Sequence, residues 1–351
     1  MPRSPRPLPG SLPAAFSVSA ARAVGVTVRR LRHPTLAAPF RGARHRPPHD
    51  DVPDEERDAD VSPIAREAAV LRAEIRRLAH AFATVAPDDW FFSHITAAVL
   101  WGLPLPIRLL RTAVRAQTRN GVTSPPRGID VAALAPRRSS RARGVCGHQL
   151  QPALASVREV GGLRVSSPAT TWALLADLLT VDELIELGDA IVHIPRRKGM
   201  RRGDAGDALG TPAELRAAAS VPYRRRAGKL RAALAEIRVG SASPGETRTR
   251  LACVRGGLPE PELDVDVLAD DGRPIGYTEL AYPAFRILIE YEGDHHRTGR
   301  AQWQRDVDKH AACAEAGWTV VRLTAAHVYP SADLAVQRIR SALLRAGWSP
   351  Q

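Results

Sequence analysis

Apolar residues recur along the chain at two spacings, and the switch between them sketches the fold. From Pro63 to Val85, Ile64, Ala68, Leu71, Ile75, Leu78 and Phe82 share one helical face and predict an amphipathic helix. In Phe91–Pro104, Ser93 is placed to cap a helix, Gly102 to stop it and Pro104 to forbid its continuation. Arg108–Ser140 reads as alternating strand-like and arginine-rich pieces, closing in a loop around Pro136–Arg143. Gly162–Pro168 predicts a short strand leading into a helix over Ala169–Leu179, with another over Val181–Val192. Thr211, Pro212 and Glu214 form a capping signature for a further helix. Beyond Ser241 the pattern is regular. A helix opens at Ser243 and ends at Gly256-Gly257; strands follow at Leu263–Val267, Tyr277–Leu280 and Arg286–Tyr291, the first two joined at Asp270-Asp271-Gly272. A helix over Arg300–Ala316, a strand over Trp318–Leu323 and a helix over Ala332–Ala346 complete it. This order predicts an α/β layer on a mixed sheet flanked by helices.

Near the start, Ser17 and Thr27 can cap two short helices separated by Gly25, and Pro39–Arg44 resembles the strand and turn of a wing. That arrangement would put Arg29, Arg30 and Arg32 on the second helix and Arg41 and Arg44 in the wing, within reach of DNA phosphates. An arginine-rich capping helix without DNA contact explains the same residues equally well. The expected divisions are a disordered leader over 1–15, a winged-helix-like segment over 16–48, an acidic linker over 49–62, an α+β region over 63–235 and a final domain over 241–351.

Charge adds a partner class. The 351 residues carry a net charge of +13 and a pI near 10.7, which favours a polyanion such as DNA. Only Lys198, Lys229 and Lys309 are lysines, and arginine abundance of this kind also follows from GC-rich coding. With 44% hydrophobic and 25% charged residues the chain is globular in composition, and no apolar run approaches the ~20 residues of a membrane span. Cys146, Cys253 and Cys313 show no CxxC spacing, so neither a disulfide framework nor a zinc knuckle is suggested. A cytoplasmic setting without membrane attachment is expected.

Candidate chemistry concentrates in Ile287–His296. Alternation puts Glu290 and Glu292 on one strand face with Leu288, while Ile287, Ile289 and Tyr291 take the other. Paired acids on a strand repel, and a cation between them relieves the repulsion. Glu290 interrupts an apolar run where a buried strand would carry valine or isoleucine. Read from the residues alone, Glu246 completes a capping box with Ser243, and Glu279, in a strand beside Thr278, can face solvent. His295 and His296 follow in a loop. His94, in the first turn of its helix, is assigned packing or surface, Arg196–Arg202 an exposed basic loop, and Trp303 and Trp318 core packing.

Glu246, Glu279, Glu290-Tyr291-Glu292-Gly293 and His296, with Gln302–Asp306 and Gly317–Arg322, resemble the restriction-endonuclease-like fold. Within it they are most similar to the very-short-patch-repair (Vsr) endonuclease-like group catalogued as domain of unknown function 559. Upstream, Phe91–Pro106 and Gly162–Asp177 resemble the AbiEi-type antitoxin-related region, more weakly. The first resemblance covers about the last third of the chain. It implies Mg²⁺-dependent hydrolysis of DNA, with Glu279 and Glu290 as metal ligands, Glu246 acting through water, and Glu292 holding a second ion or orienting the attacking water. It gives His296 the leaving oxygen or the scissile phosphate. The family's first acid is usually aspartate, and Glu279 is one methylene longer. The family's lysine is replaced by Glu292, leaving no lysine in the expected constellation. The second resemblance implies a DNA-binding, antitoxin-type regulator with a degenerate nuclease fold and a cognate toxin or regulatory partner.

Overall fold

The computed structural model describes residues 7–46, 62–119, 122–197, 203–292 and 300–350, with the backbone alone described at 118–119, 122 and 300–306. The chain divides at Leu178–Leu179 into two compact units. It is a mixed α/β protein, and no helix among the described residues is long and apolar enough to cross a membrane.

In the first unit, β1 (Ala15–Ser17) pairs with β2 (Ala43–His45), enclosing α1 (Val18–Ala23) and α2 (Val28–Leu31). Ser17 and Thr27 cap these helices as expected, accepting from the amides of Ala20 and Arg30. The leader is not loose where it is described: Leu12 is buried with Phe16, Ala21, Val26, Leu31 and Leu36. Arg46 also donates to the carbonyls of Pro9 and Leu12. Apolar burial and these guanidinium bonds offset the entropy that proline-rich composition suggested would dominate. The acidic linker expected over 49–62 lies outside the described residues except for Ser62.

The long amphipathic helix is α3 (Pro63–Ala83), burying Leu71, Ile75, Ala79 and Phe82. It precedes β3 (Phe91–Phe92), α4 (His94–Leu100) and α5 (Ile107–Val114). The last corrects the strand-like expectation at Arg108: Leu109, Leu110 and Ala113 are buried at helical spacing. A hairpin of β4 (Gln117–Arg119) and β5 (Val122–Ser124) leads to β6 (Ile129–Leu134), β7 (Val145–Leu150), β8 (Val157–Val160) and β9 (Leu163–Ser166). Of these, β6 to β9 join β3 in a five-stranded mixed sheet ordered β7-β6-β3-β9-β8, and α6 (Pro168–Leu174) follows with Ser167 as its cap.

The second unit takes α7 (Val181–Val192), α8 (Pro212–Ser220) and α9 (Ala227–Glu236) along with the C-terminal layer, so the division lies well ahead of the expected 235–241 boundary. The tie is a buried network. Asp189 on α7 accepts from Arg250 Nη2 at 3.1 Å, Thr247 Oγ1 at 2.9 Å and the Arg238 amide at 2.7 Å. Arg250 and Thr247 belong to α10 (Pro244–Arg255). The layer itself follows the expected order: β10 (Glu262–Leu268), β11 (Pro274–Tyr282), β12 (Ile287–Glu292), α11 (Arg300–Glu315), β13 (Thr319–Thr324), α12 (Ala325–Val328) and α13 (Asp333–Arg345). The strands lie in sequence order, antiparallel from β10 to β12 and parallel from β12 to β13. One face carries Leu280, Tyr282, Ile287 and Ile289 against Ile339 and Leu343 of α13; the other carries Ala281 and Leu288 against Cys313 of α11.

Candidate functional site

The register of this sheet lines up its acids. Leu263 pairs with Leu280 and Val265 with Thr278, so Asp264 lies across from Glu279. Leu280 pairs with Ile289 in the last rung between β11 and β12, and continuing that register sets Glu279 opposite Glu290. Glu290 in turn is paired with Arg322 on β13. A row of Asp264, Glu279, Glu290 and Arg322 therefore crosses all four strands. At its centre a carboxylate takes the place of a ladder rung, because Glu279 Oε2 accepts the Tyr291 amide at 3.2 Å. Asp264 departs from strand geometry, with φ of 51°, a conformation unfavourable for a residue bearing a Cβ.

Glu246 joins this row from the first turn of α10. Its amide donates to Ser243 Oγ, and its Oε2 accepts from the Ala242 amide at 2.7 Å, so the capping interaction is real. The cap does not exhaust its role. Glu246 is buried, and burial raises its pKa, with the charge of Asp264 adding to the rise. Burial together with the charges of Glu246 and Glu290 pushes Glu279 up to about 8. Glu279 thus does not face open solvent. Gly245 makes the approach feasible: a Cβ there would stand 2.3 Å from the Tyr291 ring.

Glu290 behaves oppositely. Burial pushes its pKa up, but Lys309 and His310 outweigh burial and hold it below the ordinary value. Lys309 Nζ lies 2.5 Å from Oε1, and His310 Nε2 lies 2.7 Å from Oε2. A lysine therefore does stand in the constellation, supplied by α11 and not by the strand, which corrects the sequence expectation. Its stem packs on Gly276, whose absent Cβ would lie 3.4 Å from Lys309 Cε.

The remaining expected residues fall differently. Glu292 is bound by the Arg322 guanidinium from the neighbouring strand β13. His295 and His296 lie outside the described residues, as does the side chain of Trp303. Trp318 packs beside Leu288 and Cys313, as expected of a core residue. Arg196 is not part of an exposed loop; its guanidinium is largely buried and holds Asp264 and Asp266. Among the described residues, no three of these acids bring their oxygens within 4.8 Å of one another. The positive charge at the row comes from Arg196, Lys309 and Arg322 instead.

At the N-terminal segment, Arg29, Arg32 and Arg41 are exposed. Arg30 donates to Thr35 Oγ1. Arg44 is committed within the fold, Nε to the Leu31 carbonyl at 2.7 Å and Nη1 to that of Ala43 at 2.8 Å. This corrects its placement as a phosphate contact: the strand it occupies pairs back onto β1, which turns its guanidinium toward the end of α2.

No family model matches the chain, and no solved structure matches it. Two curated relatives do, both uncharacterised proteins of Mycobacterium tuberculosis, one from strain CDC 1551 / Oshkosh and one from strain ATCC 25618 / H37Rv. Each is 32% identical over 101 residues, which is 29% of this chain. The match spans 37% of the length of these relatives.

Proposed function

We propose that the C-terminal sheet is a divalent-cation-dependent phosphodiester hydrolase site acting on DNA, of the restriction-endonuclease-like type that the sequence resembles. The observation that carries this reading is the cross-strand row of Asp264, Glu279 and Glu290 with Lys309 bonded to its end. The donor set fits a hard cation such as Mg²⁺, which needs only one or two carboxylates besides solvent. Glu279 and Glu290 would hold it. When bound, such an ion supplies charge for the phosphoryl oxygens and activates water. Lys309 keeps Glu290 ionised and offers a cation to the substrate phosphate. His310 presents Nε2 on the opposite carboxylate oxygen, where a proton can be passed. Glu279, with its pKa near 8, is the group whose proton a cation would displace.

A second reading has its own support. The absence, among the described residues, of a three-acid group with all oxygens within 4.8 Å of one another, with Arg196 and Lys309 already in place, suits a non-enzymatic DNA-binding regulator of antitoxin type, acting with a cognate partner. Its DNA contact would use Arg29, Arg32 and Arg41. The test is cleavage of plasmid and mismatched duplex DNA with Mg²⁺ or Mn²⁺, wild type beside Glu290→Ala and Lys309→Met. The hydrolase reading expects cation-dependent cleavage lost in both variants. Equal cleavage in wild type and Glu290→Ala refutes this site. Salt-sensitive DNA binding without cleavage in any of the three selects the regulator.

A further inference from the structure

Asp130 lies in the apolar strand β6 and is fully buried. Its Oδ1 accepts from His148 Nε2 at 2.8 Å and from Arg127 Nη2 at 3.0 Å, and its Oδ2 accepts the Ile95 amide at 3.2 Å. That last bond caps α4, a role the sequence gives to Ser93. The Ser93 hydroxyl instead meets His94 Nδ1 at 3.0 Å. His94 is held with φ of 46°, backbone strain that a non-glycine residue adopts only under constraint. The constraint brings its ring over His148, centroids 3.9 Å apart. Ligand atoms of His94, Asp130 and His148 all lie within 4.8 Å of one another. Among the described residues this is the one such group of three.

We propose that His94, Asp130 and His148 form a binding site for a borderline divalent transition-metal ion of the Zn²⁺ class. Two imidazoles and one carboxylate are a donor set for such an ion, and a hard-cation site would lack the nitrogens. If Nδ1 of His94 gives its hydrogen to Ser93, the lone pair rests on Nε2, the pattern of a ligand oriented by its outer partner. A tetrahedral site with ~2.0 Å bonds has donor separations of about 3.3 Å, so the 2.8 Å contact of His148 and Asp130 would open slightly around an ion. Arg127 is the competitor, a fixed cation already on the carboxylate. Cys146, two residues before His148 on the same strand, shares its face beside the site.

The test is Zn²⁺ titration of the metal-stripped full chain in excess Mg²⁺, followed by Co²⁺ substitution and visible absorption. One equivalent of Zn²⁺ is expected, with the intense Co²⁺ bands of a four-coordinate site. His94→Gly and His148→Asn should each weaken binding at least tenfold. His94→Gly suits the left-handed backbone, and an unchanged urea-unfolding midpoint in each variant separates weaker binding from unfolding. Arg127→Gln should tighten binding by removing the competing charge. Glu290→Gln should leave it unchanged, which separates this site from the acid row of the second unit. No bound Zn²⁺ in the wild type, or equal affinity in wild type, His94→Gly and His148→Asn, overturns the proposal.

Discussion

Glu279 is an acid that the fold holds at a cost, and replacing it with glutamine should reveal that cost as a function of pH. Its pKa stands at about 8 in the folded chain against an ordinary 4.5, chiefly through burial and next through the charge of Glu246. Between those two values the folded chain keeps a proton that the unfolded chain has released. Stability therefore falls as pH rises through this window and levels off above the folded pKa. One pKa unit corresponds to about 1.4 kcal/mol, so the ceiling is about 4.6 kcal/mol at pH 8.5 and under about 1 kcal/mol at pH 5. Water entry and rearrangement of Lys309 reduce the effect, and an expected difference of about 2 kcal/mol between the two pH values is reasonable. Glu279→Gln cannot ionise, yet it retains an oxygen for the Tyr291 amide. Urea unfolding of wild type and Glu279→Gln from pH 5 to 8.5 should show two curves that separate upward of pH 5, the variant becoming the more stable. Curves that stay parallel across the range would refute the burial-and-repulsion account of this acid. Millimolar Mg²⁺ should raise the wild type toward the variant at pH 8.5, since a cation stabilises the ionised carboxylate.

Three other perturbations read different parts of the structure. Asp189→Ala leaves the Arg250 guanidinium, only 2% exposed, without its buried carboxylate and should cost about 3–5 kcal/mol in urea unfolding; a loss below about 1 kcal/mol would contradict the network. Gly245→Ala drives a methyl into the Tyr291 ring and should cost about 1–3 kcal/mol while displacing the amide that holds Glu279. Cleavage should fall with it although no charged group has changed, and unaltered cleavage would count against the role of that amide. Replacing Arg29, Arg32 and Arg41 together by alanine should lower the salt dependence of DNA binding by about 0.9 in log–log slope for each phosphate that is no longer neutralised. Arg44→Ala should instead lower thermal stability, and an unchanged slope in the triple variant would remove these arginines from the interface.

How much of the fold and site is legible in the sequence depends on how far each residue's partner lies along the chain. Glu290 is visible because an acid in an apolar run breaks a local pattern, whereas Glu279 breaks none and is singled out only by the family resemblance. Lys309 is not visible from the strand, since its contact depends on the rotation of α11 against the sheet. A signal exists nonetheless: Lys309, Cys313 and Ala316 fall at i, i+4 and i+7, and the latter two are buried, so the lysine shares the sheet-facing stripe. Asp264 is hidden because it looks like one more acid in a charged strand. His94 taken alone, a histidine at a helix start, carries no chemistry. Its partners lie on β6 and β7, and Asp130 breaks the apolar run Ile129–Leu134 just as Glu290 breaks its own. The arginines on either side of that run conceal the parallel.

The parallel has chemical content. Asp130 and Glu290 each sit in an apolar strand, and each is bonded to one cationic side chain and one histidine: Arg127 with His148, and Lys309 with His310. What differs is the next neighbour. Around Glu290 the additional groups are carboxylates, Glu279 and Glu246, whose burial, with neighbouring negative charge adding to it, raises their pKa values; a set of oxygens alone favours a hard cation with no nitrogen ligand. Around Asp130 the additional group is the strained imidazole of His94, which adds a nitrogen donor and no negative charge. The same device of a buried acid with an internal counter-charge therefore points to two different ions in the two units. Mg²⁺ and Zn²⁺ should bind without competing, and a Zn²⁺ titration displaced stoichiometrically by millimolar Mg²⁺ would show that the two environments are not distinguished as their donor atoms require.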